Sequence, residues 1–136
     1  MNALSLHYKP IKQVDMIERI KEEITEIAES LNFNITISED VDVNISFAKT
    51  SSYGQDFNFE ISVDKDASMF GIWRKLESYQ NNFDVSSEAY LWLDESGHGK
   101  NGAPFEMIDV YKDMEECKGF VTELADKVFD KIYNQN

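Results

Sequence analysis

Few side chains in this sequence are equipped for covalent chemistry. There is one cysteine, Cys117, and there are two histidines, His7 and His98. A nucleophilic thiol needs a base or a positive field to become a thiolate. No spacing brings either histidine to Cys117, which falls on an apolar helical stripe where a free cysteine packs as a small hydrophobe. No G-x-S-x-G elbow occurs. With 26 acidic residues, some carboxylates will always fall close together. That count assigns no acid–base pair, so no catalytic residues are expected.

His98 lies in a denser segment. Asp94, Glu95 and His98 have the donor types of a partial metal site. Asp94, Ser96, His98 and Gly99 also start like a calcium-binding loop. The twelfth position, where such a loop needs a bidentate glutamate, is Phe105. Gly97-His98-Gly99-Lys100 fails as a phosphate-binding loop, because the glycine spacing is wrong and Asn101 follows the lysine. The expectation is a polar loop with no metal and no cofactor.

The sharper pattern is electrostatic. Asp15, Glu18, Glu22, Glu26 and Glu29 recur at spacings of three and four. At about 100° per residue they share one side of a helix. Like charges at these spacings cost roughly 0.2–0.5 kcal/mol per pair, and only Arg19 and Lys21 interrupt them. Residues 13–48 carry nine acids and two bases, and residues 84–116 carry the same. The second block includes Asp94 and Glu95. Glu18, Glu22, Glu26, Glu29, Asp94 and Glu95 are therefore the candidate partner-binding residues.

The elements that must position these groups follow from hydrophobic periodicity. Ile17, Ile20, Ile24, Ile27 and Leu31 predict a helix over 16–32, with Asp15 as N-cap, Glu18 completing a capping box and Asn32 closing it in the left-handed region. Residues 3–8 alternate weakly and predict a short strand. Strict alternation predicts three strands: Phe33 to Ser38, Val41 to Phe47 and Phe57 to Val63. Their short connections imply an antiparallel meander. A helix follows over 67–81. Ala89 to Leu93 reads as an aromatic-rich strand, in which Tyr90 and Trp92 oppose Leu91 and Leu93, with a hairpin partner over 105–111. The last helix spans 114–133, capped by Asp113. The predicted fold class is a one-domain α+β chain over residues 1–136. Its mainly antiparallel sheet has about five strands with helices packed on one face, in the order α-β-β-β-α-β-β-α.

Composition narrows the function. The chain has 136 residues, 13 Lys+Arg against 26 Asp+Glu, and a formal charge of −13. That excludes the usual basic footprint of direct nucleic-acid binding and disfavours an anionic membrane. The lone cysteine, and the lack of a signal-like or membrane-spanning apolar run, fit a cytoplasmic protein. Small acidic domains without a catalytic signature commonly neutralise a basic partner. Immunity proteins, antitoxins and phage anti-defence inhibitors that mimic nucleic-acid charge do so by analogy of composition. A basic protein partner, such as a nuclease or defence enzyme, is therefore expected. The alternatives are a homo-oligomeric structural or adaptor protein, for which a homodimer is the simplest case, and a small ligand-binding domain.

Overall fold

The computed structural model describes residues 2–134, with side chains from Met16 onward. Its elements are α1 (Asn2–Ser30), β1 (Asn34–Glu39), β2 (Val43–Thr50), β3 (Asp56–Val63), α2 (Met69–Asn82), α3 (Val85–Leu91) and α4 (Met107–Tyr133). The class is α+β, as the periodicity predicts. The sheet has three strands in the order β1-β2-β3, all antiparallel, so the five-strand sheet and its element order are corrected.

Three segments differ from expectation for identifiable reasons. The backbone over 3–8 is helical, and α1 continues through Asp15, so the helix does not start there. Leu4, Tyr8, Ile11 and Val14 fit helical spacing as well as Leu4, Leu6 and Tyr8 fit alternation. Ala89 to Leu93 is not a strand, because the Asp84 carboxylate accepts from the Ser86 and Ser87 amides and starts α3. Residues 105–111 mostly join α4. The apolar stripe runs back from Cys117 through Met114 to Val110, so Asp113 lies inside the helix rather than at its cap.

The meander puts one row of side chains inside. Val43, Ile45 and Phe47 of β2 face Val63, Ile61 and Phe59 of β3 across the register, and all six are buried. Asn58, Glu60 and Ser62 face solvent. Val41 is not in this row; it sits in the β1–β2 turn, 82% exposed. The row continues instead into Lys49, opposite Phe57.

Helices cover the apolar face. α1 packs on β1, α2 packs on β3, and α4 packs against α1, α2 and α3. Phe120 of α4 reaches the sheet, with its ring 6.4 Å from both Phe33 and Phe57. Phe47 and Phe59 stack at 5.0 Å beneath. α1 ends as its sequence predicts: Asn32 has φ +68°, and the Phe33 and Asn32 amides donate to the Ala28 and Glu29 carbonyls.

Lys49 ties these layers together. Its ammonium donates to the Leu31 carbonyl at 2.7 Å and lies 4.3 Å from the Phe120 ring centre. A cation there complements the negative end of α1. Lys49→Met keeps the apolar stem and removes the charge. It is expected to cost about 1–3 kcal/mol in urea unfolding through the lost charged hydrogen bond and ring contact. An unchanged midpoint would remove Lys49 from this role.

Candidate functional site

Four of the five acids of the α1 stripe have described side chains, and that of Asp15 lies outside the described residues. Glu18, Glu22, Glu26 and Glu29 are all exposed, opposite the buried Ile24 and Ala28. Their surroundings temper the charge unevenly. The Lys21 ammonium lies 3.0 Å from Glu18 and also pairs with Glu39 of β1. The Glu39 bond, then Glu18, raises the lysine pKa above its ordinary value. Glu26 lines a groove with Lys127, Asp130 and Lys131 of α4. Glu22 and Glu29 make no ion pair among the described residues.

Asp94 and Glu95 are also exposed, but elsewhere. They line a shallow depression with Tyr90, Leu93, Lys100 and Met107 at the start of α4. Glu26 lies beside the far end of the same helix. About twenty residues of α4 separate the two neighbourhoods, or ~30 Å at about 1.5 Å per residue. The fold therefore does not gather the six candidate residues into one site. It leaves two acidic regions, one along α1 and one at the α3–α4 end.

Asp94 also has work inside its loop. Its Oδ1 accepts from the Ser96 amide at 2.9 Å, the Ser96 hydroxyl at 2.7 Å and the His98 amide at 3.0 Å. These bonds, the Ser96 hydroxyl first, hold the carboxyl below its ordinary pKa. The Ser96 Oγ is 2.8 Å from His98 Nδ1. Because that hydroxyl donates to Asp94, His98 acts as the donor in this contact, which is the wrong direction for activating a serine nucleophile. The chain of contacts shapes a turn. Gly99 is required there, since a Cβ would lie 1.7 Å from the Pro104 carbonyl oxygen. The His98 ring stacks on Phe105 with centroids 4.0 Å apart.

A second polar cluster escaped the sequence reading. Asp113 is fully buried on the inner face of α4. The Cys117 thiol lies 4.0 Å from its Oδ1, and Oδ2 has no hydrogen-bond partner among the described residues. Burial raises the Asp113 pKa, the Ser51 hydroxyl offsets this in part, and Glu116 adds to it. Ser51 belongs to the β2–β3 loop, and Ser52 of that loop donates its amide and hydroxyl to Glu116 at 3.0 and 2.6 Å. Cys117 is buried, as its stripe predicts. Burial first, then Asp113, Glu116 and Glu88, push its thiol up to about 12, so it is protonated and unreactive at neutral pH. The available signal was Asp113 itself, an acid at a core position of the stripe.

Both tryptophans pack inward. Trp73 packs against Phe70 and Phe129, and Trp92 closes α3 against the core. Tyr90 and Leu91 are the outward pair. Among the described residues no three His, Cys, Asp or Glu side chains converge as metal ligands, and no helix is long and apolar enough to cross a membrane. Comparison with protein-family models, curated proteins and solved structures finds no match to the chain.

The Asp113 arrangement has a pH signature. A carboxyl whose pKa rises on folding favours the folded state below its unfolded value, near 4. That contribution is lost as the pH climbs through the raised value. Asp113→Asn removes the titration. The melting temperature of the variant relative to the natural chain is expected to increase between pH 4 and pH 7. A difference that stays flat across that range would show that Asp113 does not titrate on folding.

Proposed function

We propose that this chain is a small acidic binding module that neutralises a basic protein partner. The partner would be a nuclease or defence enzyme whose nucleic-acid-binding or active-site groove is blocked, in the manner of an immunity protein, an antitoxin or a phage anti-defence inhibitor. The observation that carries the reading is the outward stripe of Glu18, Glu22, Glu26 and Glu29 on a chain of charge −13. Its like-charge neighbours weaken the helix slightly. They also produce a directional negative field, which speeds encounter with a basic surface and acts as a crude mimic of a phosphate backbone.

The solvent face of the sheet is compatible with this reading. Its exposed Asp56 and Glu60 add acid and no exposed apolar strand surface. Asp94 and Glu95 supply a second contact about 30 Å away along α4, so a partner touching both regions is at least the size of a small domain.

The test is affinity capture from host extract, identification of retained proteins by mass spectrometry, and titration of the purified partner. Glu22→Lys, Glu26→Lys and Glu29→Lys together are expected to weaken binding by about tenfold or more at low salt and to flatten its salt dependence. Equal affinity and an equal salt slope would remove the acidic-face mechanism.

A further inference from the structure

The α3–α4 end combines features that the α1 stripe lacks. Tyr90 is 76% exposed, Phe105 63%, Ile108 60% and Met107 57%. Single exposed apolar residues are ordinary, but Phe105, Met107 and Ile108 follow one another closely along the chain. Tyr90 and Met107 line the same depression. Ile108 and Tyr111 lie one turn apart on α4, and Met107 shares their solvent side. Phe105 is held outward by its stack on His98. Among the described residues nothing packs over this surface. Its rim carries more acid than base: Asp94, Glu95 and one cation, Lys100, line the depression, and the exposed Glu106 precedes Met107.

We infer that this apolar patch is the docking surface itself. Its occupant is a basic amphipathic segment of a partner protein, with an apolar side chain seated between Tyr90 and Met107 and flanking lysines or arginines on Asp94, Glu95 and Glu106. The inference rests on the proposed binding of a basic partner and specifies where that partner is held. Charge decides among the possible occupants. A second copy of this chain would set these acids against its own net charge of −13, and an anionic lipid surface would be repelled by the same rim. A cationic apolar segment satisfies both parts. Apolar anchors surrounded by a charged rim are the usual form of an interface that retains its partner.

The probe is a synthetic amphipathic peptide of leucine and lysine at helical spacing, titrated calorimetrically into the full chain. The comparison ligands are an oligolysine and a leucine–glutamate peptide of the same pattern. The leucine–lysine peptide is expected to bind, and Tyr90→Ser with Ile108→Ser to weaken it about tenfold or more while leaving oligolysine binding unchanged. Both substituted positions are exposed, and far-ultraviolet circular dichroism checks that the fold is retained. If the peptide binds but the double variant binds it equally, the patch is not the docking surface and the basic-partner reading stands. If neither the peptide nor oligolysine binds, that reading itself falls. Equal affinity for the leucine–glutamate peptide would overturn the charge argument. A dimer in light scattering that Ile108→Ser dissociates would replace the basic segment with a second copy.

Discussion

The structure depends on covering one apolar face of a three-stranded sheet. Three antiparallel strands are about the smallest sheet that can persist, and only with packing on one side. Val43, Ile45, Phe47, Phe57, Phe59, Ile61 and Val63 provide that side, and nothing in the strands themselves can bury it. α1 and α2 take the two edges, and Phe120 of α4 enters between Phe33 and Phe57. Lys49 shows how strict the requirement is. A lysine falls in the inward row, and it is accommodated by lying along aromatic rings with its ammonium on the C-terminal end of α1.

The same cover explains the buried acid. The β2–β3 loop reaches α4 through Ser51 and Ser52, placing Ser52 on Glu116 and Ser51 beside Asp113. A hydrophobe at position 113 would suit the helix stripe, yet the chain keeps a carboxyl with one unpaired oxygen. Buried polar groups are costly when half-satisfied. The loop contact is thus specified by hydrogen bonds at some expense in stability, and the thiol of Cys117 is kept protonated by the same burial.

Legibility followed the length of each periodic pattern. The three strands and the helices over 16–32 and 114–133 each present three or more periodic apolar positions, enough with their polar partners to distinguish a period of 2 from one of 3.6. Ala89 to Leu93 is a five-residue apolar run that fits either period. The deciding signal was outside it, at Asp84, whose capping of Ser86 and Ser87 selects helix. Val41 and Lys49 show the matching ambiguity at a strand's ends: alternation finds the row but not where it starts. The glutamate stripe was legible because a helix carries its own geometry. Its separation from Asp94 and Glu95 was not, since that depends on which end of α4 each region touches. The patch at Tyr90, Met107 and Ile108 was hidden for the same reason, being assigned to strands that do not form.

That separation bears on how an acidic protein of this size can be selective. A negative field acts over roughly a Debye length, about 8–10 Å at physiological salt, so two regions ~30 Å apart along α4 do not reinforce one another at contact range. The α1 stripe is a surface of charge with few apolar side chains among its outward residues. Such a surface raises encounter rates with any basic protein and distinguishes poorly between them. The α3–α4 end joins acids to exposed Tyr90, Met107 and Ile108, and burying those side chains rewards only a partner of matching shape. On the proposed division of labour, charge along α1 would bring basic surfaces near, whereas retention and choice would rest with the apolar end. The two are physically distinct, because salt screens the first strongly and leaves the second largely intact.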